Sequence, residues 1–309
     1  MPLDRIFVVT VTYFPDLHQL QRQLLALPDD LPKILVDNTA IEETRAALEQ
    51  LSKSLPHVHL LCNPHNLGLA AAINRGIEHG VNLDPAAQFV FLLDQDSIPE
   101  SNCLSTLMQT FKELQAQGFK VGAVGPYLLD EKTGAFHGFH QMRGWRWQRA
   151  FPKLNAAPVD CANLNGSGTL MPVNLLLSLG GLDETFFIDH VDTEWSFRLL
   201  SHGYSLWGVP KALLRHNMGK DSLRIWWFGR RIWPLRTPMR HRYLFRNAIR
   251  LMKRSYVPTT WKIWAAAKLA LTLVVHALFD SQRHTQVQAM LLGLWEGLKD
   301  DAFPHRPHP

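Results

Sequence analysis

The sequence lacks several features that would define its class directly, and each absence excludes something. Three cysteines in 309 residues, with neither a CxxC nor a Cys/His spacing, exclude a disulfide scaffold, give no zinc signature and predict a reducing compartment. The turn after the first apolar run is YFPD, not a glycine-rich phosphate loop, which argues against a nucleotidyltransferase. Internal repeats and low-complexity tracts are absent. Asp4 and Arg5 precede the first apolar run, so we expect no signal peptide.

Acidic residues are scarce in one segment. Between Lys220 and Lys262 there are twelve Lys or Arg and one acid, so this segment carries +11 in a chain of net charge +5. A basic, Trp-rich block beside a mildly acidic remainder indicates an anionic partner, either nucleic acid or membrane. Five of the ten tryptophans lie in or just beyond the segment: Trp226, Trp227, Trp233, Trp261 and Trp264.

Long uncharged runs are also missing. In the apolar helix predicted at Trp261–Phe279 the longest has eleven residues, short of the ~20 that a spanning helix needs. We therefore expect an in-plane amphipathic helix, with a buried core helix as the alternative. Tryptophans beside a basic stripe favour membrane over nucleic acid. That stripe recurs every fourth residue on a predicted helix: Arg242, Arg246, Arg250 and Arg254.

The N-terminal part alternates apolar runs with helical patterns, which is typical of βαβ units around a parallel sheet. Ligands bind beyond the carboxyl ends of such strands, where we expect polar residues to line one crevice. The predicted strands are Ile6–Thr12, Lys33–Asp37, Val58–Cys62 and Phe89–Leu93, with helices at Asp16–Leu27, Glu42–Ser54 and Gly68–His79. Further along we predict a helix at Pro99–Gln117, strands at Val121–Asp130 and Tyr204–Val209, and a helix from about His190 to Gly203.

Three constellations carry candidate chemistry. Asp94 and Asp96, one residue apart after an apolar strand, suit Mg²⁺ or Mn²⁺ holding a diphosphate, although aspartates also serve in turns and caps. Asp192, near a helix start, suits a general base or a partner of the helix dipole. The small-residue helix after Asn66 packs on the sheet and leaves a ligand role for its flanks. His216 suits a metal ligand or an ordinary surface or core histidine.

In combination, these segments resemble the family-2 glycosyltransferases with a GT-A fold, and within them the bacterial rhamnosyltransferases that use dTDP-L-rhamnose. The resemblance runs in order from residue 5 to about residue 217. It is carried by VVTVTYFPD, LVDNT, NPHNLGLAAAINRG, LLDQDS and GGLDETFFIDHVDTEWSFRLLSHGY.

The resemblance implies an α/β GT-A catalytic domain over residues 1–218, with a mostly parallel central sheet and flanking helices. A basic helical region, 219–309, follows and is expected to associate with membrane. A divalent cation, Mg²⁺ or Mn²⁺, would be held by Asp96 and His216. The nucleotide-sugar would be bound by Thr12, Tyr13, Asp37, Asn66, Gly68, Asn74, Asp94, Gln95, Asn165, Gly166 and Ser167, the last three lining the sugar.

The resemblance also implies the catalytic base. Asp192 lies six residues before Arg198, at the family's base position, but Val191 stands where the family usually has a second acid. Asp189 is therefore a rival. One base and no covalent intermediate predict a single displacement with inversion.

The implied activity is transfer of L-rhamnose from dTDP-L-rhamnose to a glycan or polyprenyl-diphosphate-linked acceptor, at the cytoplasmic face of a bacterial plasma membrane. A UDP-hexose donor is one alternative, because thymine and uracil differ by a methyl group worth ~1 kcal/mol. A nucleic-acid-binding protein, acting through the basic block, is another. The sequence leaves an oligomer open.

Overall fold

The computed structural model describes residues 5–216, 222–226, 230–234 and 236–299. Within these residues, strands and helices alternate through the first half, and helices follow at the C-terminal end. In chain order the elements are β1 Ile6–Thr12, α1 Leu17–Leu25, β2 Lys33–Asp37, α2 Glu42–Ser54, β3 Val58–Cys62, α3 Leu69–Leu83, β4 Phe89–Asp94, β5 Ser97–Pro99, α4 Cys103–Ala116, β6 Val121–Asp130, β7 Phe136–His137, β8 Phe139–Arg143, β9 Arg146–Ala150, β10 Val159–Cys161, β11 Leu170–Pro172, α5 Val173–Ser178, α6 Val191–Ser201, β12 Ser205–His216, β13 Ser222–Trp226, β14 Arg230–Pro234, α7 Pro238–Lys253, α8 Thr259–Phe279 and α9 Arg283–Lys299.

One large sheet organises the catalytic part, in the order β10-β12-β6-β11-β4-β1-β2-β3. Strands β1 to β4 run parallel, β12 is parallel to β6, and β11 is antiparallel to both of its neighbours. The register puts Thr12 opposite Asp37, and Val11 opposite Asp94. The carboxyl ends of three strands therefore meet at one edge, as predicted for the crevice.

Small residues let α3 lie close to the sheet. A Cβ added at Gly76 would be 2.6 Å from Val9 Cγ1, nearer than real side chains approach. On β1, Val8 belongs to the main core cluster with Phe91, while α4 contributes Phe111 to the same cluster. Close packing of α3 fixes the position of its N-terminus, which begins beside the crevice.

Several predicted bounds are confirmed and others need correction. The first three strands and α2 match their predicted bounds. The helix predicted from Pro99 begins only at Cys103, because Ser97–Pro99 forms β5. The strand predicted to end at Val209 continues to His216, across an irregularity in its register between Val209 and Leu213.

The described residues form two compact units. The first contains the large sheet, with the chain up to Met142, Gln148–Phe187 and the segment from Val191 through β12. The second contains Arg143–Trp147, Ile188–His190 and the described residues after β12, including α7, α8 and α9.

Helix packing in the second unit depends on glycine. A Cβ at Gly297 would be 2.7 Å from the Arg246 carbonyl oxygen, and one at Gly293 would collide with the Arg242 carbonyl, so α9 lies directly against α7. By length and composition alone, α8 is the one helix among the described residues that could cross a membrane, with a mean hydropathy of 1.5.

The tryptophans of the basic block differ in their exposure. Trp261 is 5% exposed, which corrects the expectation that it lies at a surface, whereas Trp264 is 48% exposed. Trp227 lies outside the described residues. In the arginine stripe, Arg242 pairs with Glu296, so part of its charge is balanced.

Candidate active site

A cavity of about 280 Å³ opens beside the end of β2. Asp37, Arg45 and Asn63 are among the residues that line it. Asp37 is buried and accepts hydrogen bonds from Thr12 Oγ1 at 2.8 Å and from the Thr39 hydroxyl and backbone N–H at 2.8 and 3.1 Å. This network holds the carboxylate in one orientation at the cavity wall, where it can accept from a ligand N–H.

Tyr13 and Gln95 join the ends of β1 and β4. The Tyr13 backbone N–H donates to Gln95 Oε1 at 2.7 Å, and Gln95 Nε2 donates back to the Tyr13 carbonyl at 3.1 Å. Both predicted binding residues therefore lie at the same edge as Asp37.

Gly68 occupies a position that other residues would strain. Its φ is 89°, and an added Cβ would be 2.6 Å from the Phe187 ring. The Asn66 side chain accepts from the Gly68 N–H at 2.9 Å, and Asn38 Nδ2 donates to the Gly68 carbonyl at 3.1 Å. Asn66 and Gly68 thus shape the turn that starts α3 rather than acting alone.

Asn74 makes a different set of contacts. Its amide donates to the Leu182 carbonyl at 2.8 Å and to Glu184 Oε1 at 2.9 Å, and it accepts from the Leu182 N–H at 2.8 Å. These bonds anchor the turn that precedes α6 onto α3. The geometry supports a bracing role for Asn74, in place of the predicted direct role in the nucleotide pocket.

Asp94, Asp96 and His216 form a cluster whose candidate ligand atoms all lie within 4.8 Å of one another. The His216 Nδ1 atom is 3.5 Å from Asp96 Oδ1. His216 reaches the cluster because β12 pairs antiparallel with β5 and places it opposite Ser97. Carboxylate oxygens with one imidazole nitrogen suit a divalent cation such as Mg²⁺ or Mn²⁺, so the residues present fit a metal.

The cluster rests on a buried polar support that the sequence did not indicate. Ser97 Oγ lies 2.6 Å from His216 Nδ1 and accepts from Ser167 Oγ at 2.7 Å. Gln23 of α1 donates to the carbonyls of Asp94 and Ser97. Ser97 and Gln23 are both fully buried, so the orientation of the cluster is fixed by packing. The sequence signal was weak, because a glutamine on a helix usually faces solvent.

The Asn165–Ser167 loop joins the cluster to the first turn of α6. Ser167 Oγ accepts from the Asp94 N–H at 3.0 Å, and the Gly166 N–H donates to Asp192 Oδ2 at 3.3 Å. Two adjacent residues therefore contact the candidate metal ligand and the candidate base. The structure brings Asp192, Asp94, Asp96 and His216 to one side of the sheet.

Nearby carboxylates are engaged elsewhere. Glu194 is buried and receives two bonds from Arg198, Nε at 2.9 Å and Nη2 at 2.8 Å. In the second unit, Asp189 Oδ1 pairs with Arg236 at 2.6 Å and with Arg240 at 3.0 Å. Burial alone would raise the pKa of Asp189, but the two guanidiniums outweigh it and hold that pKa below its usual value. A carboxylate in this state is a weak proton acceptor.

The fold and this site define a nucleotide-sugar transferase. The chain belongs to glycosyl transferase family 2, whose family model matches residues 6–162, just over half of the 309 residues. It is a glycosyltransferase with a GT-A fold, as the sequence resemblance predicted.

Relatives narrow the comparison. The chain is 26% identical over 302 residues to the dTDP-rhamnosyl transferase RfbF of Shigella flexneri, covering 96% of each protein. It is 26% identical over 249 residues to an N-acetylglucosaminyl-diphospho-decaprenol L-rhamnosyltransferase of Mycobacterium tuberculosis, covering 72% of this chain and 78% of that one.

Solved structures agree on the fold. The mannosyltransferase PcManGT of Pyrobaculum calidifontis, determined with GDP-Man and Mn²⁺, matches with a TM-score of 0.54 at 17% identity. The match covers 96% of this chain and 88% of that one, so the likeness extends beyond the catalytic sheet to the C-terminal helices.

Proposed function

We propose that this enzyme transfers L-rhamnose from dTDP-L-rhamnose, with inversion, to a lipid-linked or cell-envelope glycan at the cytoplasmic face of a bacterial plasma membrane. The observation that carries the proposal is the Asn165–Ser167 loop, which contacts both Asp192 and Asp94. The RfbF relative, named for dTDP-rhamnosyl transfer, supports the donor. The mycobacterial relative, whose name includes a diphospho-decaprenol, supports a lipid-linked acceptor.

In this mechanism Asp192 accepts the proton of the acceptor hydroxyl as that oxygen attacks the anomeric carbon. The Gly166 N–H, bonded to Asp192 Oδ2, keeps the carboxylate oriented and leaves the other oxygen lobes for the incoming proton. A single displacement breaks the bond from the anomeric carbon to the diphosphate and inverts its configuration. Asp189 is unsuited to this role because two arginines hold its carboxylate.

The donor would lie along the crevice. Asp37 and Thr12, at the wall of the cavity beside β2, would bind the base, and Asn165 to Ser167 would line the sugar. Asp96 and His216, with Asp94, would hold the divalent cation, and PcManGT with its bound Mn²⁺ supports that cofactor by analogy. When bound, the cation offsets negative charge on the departing diphosphate.

Calorimetric binding tests the donor. We expect dTDP-L-rhamnose to bind more tightly than UDP-glucose in the presence of Mg²⁺, with dTDP-glucose between them because it shares only the base. Comparing all three separates the base from the sugar, which matters because the thymine methyl contributes only ~1 kcal/mol. Tighter binding of UDP-glucose would retain the glycosyltransferase and replace the donor.

A further inference from the structure

Helix α8 carries its apolar side chains on the outside. Ile263, Trp264, Leu271, Val274 and Leu278 are between 45% and 60% exposed. Four of them recur at intervals of eight, three and four residues, so they share one side of the helix. We call these five residues the outer face of α8.

The buried side of the same helix is polar. His276 is fully buried, and its Nδ1 lies 2.6 Å from Asp280 Oδ2, while His241 of α7 lies 2.6 Å from Gln286 Oε1 beside it. A soluble surface helix has the opposite arrangement, with apolar residues inward. The polarity of α8 is therefore inverted, which is expected of a helix whose outer side contacts an apolar medium.

A tryptophan from a distant part of the sequence extends the outer face. Trp145, at the tip of the β8–β9 hairpin, is 71% exposed. Its carbonyl accepts from Trp264 Nε1 at 3.1 Å, and the Gly144 carbonyl accepts from Thr260 Oγ1 at 3.2 Å, so the tip is held on α8. Two exposed indoles side by side suit the interfacial layer of a bilayer.

The charge around this face has one sign. The described residues of the second unit contain sixteen Lys or Arg and three acids, so their net charge is strongly positive. All three acids have basic partners: Asp189 pairs with Arg236, Asp280 with His276, and Glu296 with Arg242. An apolar face within such a basic unit complements an anionic lipid surface.

Two other occupants fit less well. A spanning α8 would carry Lys268 near the bilayer centre, at a cost of roughly 2.5–3.5 kcal/mol. A symmetric dimer would bring the same basic unit against itself, because a two-fold interface pairs identical surfaces. Lying in the plane of an anionic bilayer, the helix avoids both penalties.

We propose that the outer face of α8, with Trp145, is the surface by which the enzyme docks onto an anionic lipid bilayer. The face lies in the plane of the headgroups, with its aliphatic side chains and indoles inserted and the surrounding bases on lipid phosphates. The inference rests on the proposed function in one respect: it explains how the enzyme reaches a lipid-linked acceptor.

Vesicle flotation of the full chain tests the proposal. We expect binding to vesicles of phosphatidylcholine mixed with phosphatidylglycerol, weaker binding to phosphatidylcholine alone, and loss of binding at high salt. Leu271→Glu puts a charge on the outer face and should weaken vesicle binding by about tenfold or more. The matched control is Leu177→Glu on α5, since Leu177 is 50% exposed and Leu271 is 48% exposed.

Each result decides between occupants. Loss of vesicle binding in Leu271→Glu, with the control unchanged and donor affinity equal in both, supports the docking face. Vesicle binding that is equal in wild type and Leu271→Glu overturns it. So does a wild-type dimer, seen by light scattering, that Leu271→Glu converts to a monomer while neither binds vesicles. Donor affinity is measured without lipid, so failure of wild type to bind dTDP-L-rhamnose would count against the proposed function alone.

Discussion

At the scale of single residues, the account depends on the different surroundings of two aspartates in neighbouring positions. Asp192 receives a backbone N–H from Gly166, whereas Asp189 receives two arginines. The sequence identified both as candidate bases but could not rank them. The arginines that engage Asp189 lie about fifty residues further along the chain, and no local pattern reveals such a pairing.

Asp192→Asn removes the proposed proton acceptor without changing side-chain size. We expect transfer to fall by about a hundredfold or more, because general-base contributions are typically of that order, while donor affinity stays unchanged. Initial rates and donor titrations on the same preparation check this. Asp84→Asn at the end of α3 is the control, and a variant that keeps near-normal transfer would remove Asp192 from the mechanism.

Asp189→Asn tests the rival. Asparagine tolerates the left-handed backbone at this position, where φ is 62°, so the substitution removes charge and leaves the local geometry intact. We expect about 1–3 kcal/mol lower stability, because two guanidiniums lose their carboxylate, and more residual transfer than in Asp192→Asn. Thermal melts and rates, measured together, separate the two effects.

The same pair has a pH dependence of defined sign. The pKa of Asp189 is lowered in the folded protein, so its contribution is complete above about pH 4, the usual value for an aspartate, and is lost as pH falls through the folded value. Asp189→Asn should therefore flatten the acid limb of the stability profile. Abolished transfer with an unchanged melting temperature would instead identify Asp189 as the base.

At the scale of elements, the sequence predicted what depends on local periodicity. Strands β1 to β3 and α2 follow uninterrupted patterns, and their bounds match. Strand β12 was cut short because Pro210 and Lys211 interrupt its apolar pattern, at the point where the register also shifts. Helix α9 was not predicted, since its buried positions include Gln286 and Gly293 while its exposed ones include Leu298.

The glycines of α9 give a prediction at this scale. Gly293→Ala introduces a Cβ that collides with the Arg242 carbonyl, so α9 must move away from α7. Overpacking of this kind costs about 1–3 kcal/mol, and we expect a lower melting temperature. Gln288→Ala, on the exposed side of the same helix, should leave it unchanged. Equal melting temperatures for both variants and wild type would show that α9 packs less tightly than described.

At the scale of the whole molecule, the site is assembled from segments that are distant in sequence. Asp94 and Asp96 follow β4, His216 ends β12, and the Asn165–Ser167 loop connects the cluster to Asp192. The sequence predicted most of these residues because the family's segments occur in order. It could not predict Ser97 and Gln23, whose importance follows only from the pairing of β5 with β12 and the packing of α1.

The most direct test of the central claim is turnover of dTDP-L-rhamnose by the purified full chain with Mn²⁺ or Mg²⁺, compared with the same reaction in EDTA and with Asp96→Ala. The account predicts hydrolysis or transfer that needs the metal, releases dTDP and is lost in Asp96→Ala, while the variant keeps its wild-type melting temperature. Turnover that is unaffected by EDTA and by Asp96→Ala would contradict the metal-dependent mechanism proposed for this site.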